Sequence, residues 1–341
     1  MRVAVYHSNS DIRVEERPRP QIGPGELLMR VRASGICGSD VMEWYRRPKA
    51  PLVLGHEVAG TVEEVGEGVE GFATGDRIVA THHVPCNRCR YCLTDRHSVC
   101  DTLRSTTFDP GGFSEFVRLP PINVERGTFR LPDDVTFEAA SFVEPLACVV
   151  RAQRIAEVCP GDSVAVLGSG ISGLLHLQLA RALGAGRIFA TDVSDYRVQA
   201  ACGVGADLAL RADADVIEGI RKANDGRLVD RVLVCTAARS AMEQATQLVD
   251  RGGSILFFAP LGPGEEMTLP AHDLWMRGAS IVHSYAGPPA DMRVALALIA
   301  SRRVDVETLV THRLPLDRTA EGFQLTAGAG KSLKVIVDPW R

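Results

Sequence analysis

The chain has 341 residues, of which 45% are hydrophobic and 23% charged, with a formal net charge of −4. That length exceeds one ordinary core and predicts two domains. The acidic balance offers no field for nucleic acid, and no apolar run approaches the roughly 20 residues that span a bilayer, so neither is expected as a partner. The opening MRVAVYHSNSDIRVEERP reads as a strand followed by charge, without a secretory apolar core, so a cytoplasmic protein is expected.

The first 144 residues hold short β-like runs: ELLMRVRASGI (26–36), HEVAGTVEEVG (56–66), DRIVATHHV (76–84) and FSEFVRLP (113–120). Gly66, Gly68, Gly71 and Gly75 punctuate them. Between the last two lies PCNRCRYCLTDRHSVC, which sets Cys86, Cys89, Cys92 and Cys100 at a spacing that closes a tetrathiolate zinc site. Such a site has no open position and is structural. The other cysteines of the second half, Cys148, Cys159, Cys202 and Cys235, read as small core residues.

From residue 145 the pattern changes to strands alternating with helices. EPLACVVRAQRIAEV is helical and stops at Pro160-Gly161, and DSVAVLGSGISGLLHLQLARALGAG is strand, glycine turn and helix. RIFATD, RLVDRVLVCTA and GGSILFFAP supply further strands, and YRVQAACGVGAD a further helix. Near-continuously apolar strands in this alternation predict a doubly wound parallel sheet of the Rossmann type, making the chain α/β. Beyond 287 a helix, MRVALALIASRRV, and a strand, LKVIVDP, return to the first lobe. The expected layout is a β-rich catalytic domain from 1–144 and 288–341 around an inserted cofactor domain, 145–287.

In GSGISG, Gly168 permits a tight turn, Gly170 lets the backbone approach a pyrophosphate, and Gly173 lets helix and strand pack closely. The helix opening at Ile171 presents free N–H donors to phosphate. Asp192 ends the next strand, where a carboxylate accepts hydrogen bonds from adenosine ribose and repels a 2′-phosphate, which predicts NAD over NADP. The alternative is that Asp192 caps the helix that follows, although Ser194 is better placed for that. Arg197 lines either the adenine pocket or the surface.

Cys37 follows a strand in SGICGSD, His56 precedes one in LGHE, and Glu144 sits at the domain junction in FVEPLA. Cysteine, histidine and a carboxylate plus water give the pattern of a catalytic zinc. Glu57 competes with Glu144 for the third place, or orients His56 from behind, or handles the proton. The adjacent His82 and His83 read as strand residues facing opposite ways, so both are not expected to be ligands. Tyr45, within EWYRRPKAPLV, and Arg104, beyond the cysteine lobe, are candidate substrate contacts. For the EWYR stretch a surface loop is an equal reading.

CGSD (37–40), GHEVAGTVEEVG (55–66), the four-cysteine lobe, GGFSEF (112–117), EPLACVV (144–150) and GSGISG (168–173) occur in this order. The combination resembles the zinc-dependent medium-chain dehydrogenase/reductase family, and within it the sorbitol (polyol) dehydrogenase-like branch. The resemblance covers essentially the whole chain. It implies a GroES-like catalytic domain, a Rossmann domain, one catalytic and one structural zinc per chain, NAD, and a homo-oligomer, a tetramer rather than a dimer. It assigns the catalytic zinc to Cys37, His56 and Glu144 or Glu57, and the hydroxyl that meets the substrate alcohol to Ser39. The implied reaction is oxidation of a secondary alcohol to a ketone, with polyols and sugars ahead of simple alcohols, diols and threonine-like amino alcohols. Two departures stand out: Met42 occupies a place where many relatives carry a proton-passing histidine, and Ala237 one where glycine is common. Retention of Cys37, His56, Glu57 and Glu144 argues against a nucleotide sensor without catalysis, and the acidic balance without an Arg/Lys-rich stripe argues against a nucleic-acid-binding zinc ribbon.

Overall fold

The computed structural model describes residues 1–328 and 330–341. Strands β1 (Arg2–Ser8), β2 (Asp11–Glu16), β3 (Leu27–Gly35), β4 (Leu52–Val53), β5 (Glu57–Val65), β6 (Arg77–Ala80), β7 (Phe116–Leu119) and β8 (Thr128–Arg130) come first. The middle of the chain holds β9 (Ser163–Leu167), β10 (Arg187–Asp192), β11 (Leu208–Arg211), β12 (Val229–Val234), β13 (Val249–Phe257) and β14 (Ser280–His283). Last come β15 (Val310–Pro315) and β16 (Lys334–Asp338). The chain divides into one unit of Met1–Ala147 with Ala286–Arg341, and a second of Cys148–Tyr285.

In the first unit a small sheet, β2-β1-β4, accompanies a seven-stranded sheet in which β15-β16-β3-β5-β6-β8 run in order and β7 also pairs with β3. β3 and β5 are antiparallel with Gly35 opposite Glu57, and β16 lies on the other side of β3 with Ile336 opposite Gly35. That register positions the site. Cys37 leaves the end of β3 and His56 enters the start of β5, so both project from the same end of one strand pair. Leu27, Met29 and Val31 alternate into a fully buried core with Val58, Val62, Ile78 and Val117, as period-two patterning requires.

In the second unit the parallel order is β11-β10-β9-β12-β13-β14. β9 is buried at every position, which is why SVAVL reads as continuously apolar. Strand order reverses at β9, with β10 and β11 added on one side and β12 to β14 on the other, and the glycine turn leaves the carboxyl end of β9.

Two expectations are corrected. The 76–84 run stops as a strand at Ala80, because Thr81 turns the chain with its hydroxyl accepting from the His83 N–H at 3.1 Å. Cys159 and Cys202 are exposed rather than core residues, and Cys148 and Cys235 are only partly buried.

Candidate metal centres and cofactor turn

The cysteine lobe forms a compact sulfur cluster. Sγ separations are 3.5 Å for Cys89–Cys92, 3.7 Å for Cys86–Cys100 and 4.0 Å for Cys86–Cys92. A tetrahedral zinc with Zn–S of about 2.3 Å sets sulfurs about 3.8 Å apart, whereas a disulfide needs about 2.05 Å. Backbone N–H groups aim at the sulfurs: Cys89 donates to Cys86 Sγ at 3.3 Å and Cys86 to Cys100 Sγ at 3.5 Å. Such donors favour thiolate, and those of Arg88 and Cys89 draw the Cys86 thiol down to about 6. The donor set suits a closed zinc site.

At the end of the β3/β5 pair, one ligand atom each from Cys37, His56 and Glu57 lies within 4.8 Å of the others. Cys37 Sγ accepts from both the N–H and the Oγ–H of Ser39, each at 3.4 Å. Asp40 sits behind. It is fully buried, accepts from the Cys37 N–H at 3.1 Å, and its Oδ1 lies 3.3 Å from His56 Nδ1. Burial disfavours the His56 imidazolium, but the Asp40 carboxylate and the Cys37 sulfur outweigh it and hold the pKa well above the usual value. A carboxylate behind a ligand imidazole fixes its tautomer and aim.

Glu57 is buried and ion-paired with the equally buried Lys334 of β16, whose ammonium also donates to the Ile36 carbonyl at 3.2 Å. Glu144 is buried too, but its ligand atom clusters with His82 and His83, all within 4.8 Å. The two histidine rings lie 3.7 Å apart, and His82 lies 4.7 Å from His56. Because these residues sit past the end of β6, the strand argument for opposite orientation does not apply. Burial, together with the His56 and Arg46 charges, depresses the His83 pKa to about 3, and His82 is depressed as well.

In the second unit Gly168 adopts φ +93°, a conformation glycine takes without strain, and a Cβ at Gly173 would collide with the Gly168 carbonyl. The helix Ile171–Ala182 begins at Gly170 with no side-chain cap, which leaves its first N–H groups for a ligand. Asp192 is buried, accepting from the Ser169 N–H at 2.8 Å through Oδ2 and from the Ser194 N–H at 2.9 Å through Oδ1. Neither bond reaches into the following helix, and the Ser194 side chain does not cap it either. The Arg197 guanidinium lies beside the turn, 3.7 Å from where a Gly170 Cβ would stand.

Comparison with known proteins agrees with this geometry. Residues 23–133 match the alcohol dehydrogenase GroES-like domain and 172–301 the zinc-binding dehydrogenase domain. The sorbitol dehydrogenase of Gallus gallus is 34% identical, covering 98% of this chain and 96% of that protein. The chain belongs to the zinc-binding alcohol dehydrogenase family. Among solved structures of this family, alcohol dehydrogenase TADH from Thermus sp. ATN1 is 29% identical with a TM-score of 0.87, covering 99% of each chain. A protein of Sinorhizobium meliloti 1021 described as a zinc-binding dehydrogenase and bound to NADP is 28% identical, with a TM-score of 0.89 and 99% coverage of each chain. The chain is thus a zinc-dependent alcohol or polyol dehydrogenase with a GroES-like and a Rossmann unit.

Of the residues expected at the dehydrogenase site, Cys37, Ser39, His56 and Glu57 come together, while Glu144 joins the two histidines. Tyr45 is partly buried beneath two cations, with the Arg46 guanidinium 4.6 Å and the Lys49 ammonium 3.7 Å from its ring. Arg104 is not brought to the site: it is exposed and braces the cysteine lobe, donating to the Ser98 carbonyl at 3.0 Å. Sequence reasoning missed Asp40 and Lys334, and read Arg46 within EWYR only as a candidate substrate contact or surface residue. A lysine inside the apolar run LKVIVDP was the one visible signal for Lys334, and the aspartate three residues past Cys37 the signal for Asp40.

Proposed function

We propose that this dehydrogenase oxidises a secondary alcohol to the ketone with NAD, and that polyols or sugar alcohols are the preferred class. The observation that carries the reading is the convergence of Cys37, His56 and Glu57 beside the Ser39 hydroxyl. When bound, zinc supplies Lewis acidity at the substrate hydroxyl and the nicotinamide accepts hydride. Cys37, His56 and Glu57 hold the metal, with Glu57 steadied by Lys334. Asp40 keeps His56 aimed, and Ser39 Oγ accepts the hydrogen bond of the substrate hydroxyl and relays its proton, receiving it as its own hydroxyl hydrogen passes on to water. Glu144 borders the site with His82 and His83, a polar wall suited to a substrate with several hydroxyls.

On the cofactor side, the turn at Gly168, Gly170, Ile171 and Gly173 receives the pyrophosphate. Asp192 faces the ribose and opposes a 2′-phosphate, while Arg197 neighbours the phosphates. Simple secondary alcohols, diols and amino alcohols are the alternative substrates, since Tyr45 and its cation pair do not single out a polyol. We also read the protein as a cytoplasmic homo-oligomer, a tetramer before a dimer. Trp275 is 76% and Met276 63% exposed just before β14, the outermost strand of its sheet, and self-association would cover them. Among the described residues no helix is long and apolar enough to cross a membrane.

The deciding test is reduced-nicotinamide formation on a panel of polyols, sugars, diols and amino alcohols, with NAD and then NADP. Turnover of a polyol at least tenfold faster than of the other classes, with NAD preferred, is the expected result. Preference for another class moves the substrate assignment, and preference for NADP overturns the role given to Asp192.

A further inference from the structure

We infer that Arg46 is a positioning residue for the reaction, one that sets the hydrogen-bond polarity of Ser39 and holds a permanent positive charge against it. The guanidinium is largely buried, with its side chain 14% exposed. Its Nε donates to the Ser39 carbonyl at 2.9 Å and its Nη2 to Ser39 Oγ at 3.1 Å. The same Nη2 lies 3.4 Å from Asp40 Oδ1, the oxygen that faces His56. One guanidinium thus spans the reactive hydroxyl and the carboxylate behind the ligand histidine.

Donor and acceptor arithmetic gives this contact its meaning. A serine hydroxyl has one hydrogen and two lone pairs, while arginine only donates and stays charged at every working pH. Arg46 therefore occupies one lone pair of Ser39 Oγ. The hydroxyl hydrogen is directed to Cys37 Sγ at 3.4 Å. One lone pair remains, and it is the one that can accept from a substrate hydroxyl. Without Arg46 the hydroxyl is free to turn its hydrogen toward the substrate, which is the wrong polarity for removing a proton. The fixed charge also favours negative charge growing on the substrate oxygen, as preorganised donors do at other developing anions. Neither Met42 nor Arg46 can accept a proton, so this side of Ser39 steers charge and carries no proton away.

The inference rests on Ser39 being the hydroxyl that meets the substrate, and the test separates the two. Holoenzymes of wild type, Arg46→Met, Arg46→Lys, Ser39→Ala and the Ser39→Ala/Arg46→Met double variant are compared for kcat, KM, zinc per chain and NADH affinity. Expected for Arg46→Met is a fall in kcat of about 100-fold, the scale of losing one preorganised donor, with KM and NADH affinity within about threefold and zinc content unchanged. Arg46→Lys, which keeps a charged donor, should regain at least about a third of the loss on a logarithmic scale. In the double variant the Arg46 change should cost less than about twofold, since its target hydroxyl is gone. Wild-type kcat in Arg46→Met, full additivity with Ser39→Ala, or a loss that tracks missing zinc each overturns the inference. Wild-type kcat in Ser39→Ala instead sinks the Ser39 reading, and this one with it.

Discussion

Gly35 is glycine because two other residues need its space. A Cβ there would collide with Glu57 Oε2 and come within 2.7 Å of Lys334 Cε. The ion pair beneath it is 0% and 1% exposed, so each charge depends on the other. Lys334→Met strands the Glu57 carboxylate in the core and should cost about 3–5 kcal/mol in denaturant unfolding. That full loss is expected of the zinc-free protein, and a smaller one in the zinc-loaded protein is what ligation by Glu57 predicts. Cys37→Ala removes the one thiolate of the site and should abolish turnover by at least about a thousandfold, while NADH binding, which depends on the other unit, stays within about twofold. Turnover that survives this change excludes Cys37 as a ligand. Cys37, His56 and Glu57, whose ligand atoms the structure brings together, were legible because each sits in a short local motif. Their supports were not. Lys334 lies 277 positions from Glu57, and no local pattern reports a pairing of that range.

Among the elements, the glycine turn and the helix after it were readable as a unit, because strand, turn and helix each carry their own local signature. Gly173 shows how tight that unit is, with no room for a Cβ against the Gly168 carbonyl. Gly173→Ala should therefore push the helix from its strand and weaken NADH binding by about tenfold or more by fluorescence titration, leaving zinc content unchanged. Unchanged NADH affinity would show that the turn does not hold the pyrophosphate. The 76–84 segment was misread for a definite reason. DRIVATHHV has alternating β-type residues to its end, but the Thr81 hydroxyl competes for the His83 N–H and bends the chain away from the ladder. That bend sets two imidazoles side by side, which alternation had excluded.

At the scale of the molecule, each unit carries its own sheet and core; short β-like runs pointed to the first sheet and the alternation of strand with helix to the second. The second unit also holds an ionisable group with a predictable cost. His176 is fully buried, accepts at Nδ1 from Gln153 Nε2 at 3.1 Å, and burial lowers its pKa to about 3. An unfolded chain protonates this imidazole near pH 6.5 while the folded one does not. Its contribution is therefore fully present above about pH 6.5, and stability falls by up to about 1.4 kcal/mol per pH unit as the pH drops toward 3. His176→Met should flatten the pH dependence of the denaturant midpoint between about 4 and 6.5, and an unaltered slope would assign that acid sensitivity to other groups.

The strand that brings Lys334 to Glu57 also sets a timetable. A chain made from its amino end exposes Gly35 and Glu57 to the tunnel exit long before β16 exists, and Ile336 and Val337 must still arrive to pair with β3. The inserted unit, complete at Tyr285, can close while the unit around it waits. Until β16 emerges, the nascent site carries the Glu57 carboxylate without its Lys334 counter-charge. Ribosome-stalled chains ending near residue 330 should thus already protect the dinucleotide fold from protease, whereas the zinc ligands should become resistant only once β16 has left the tunnel.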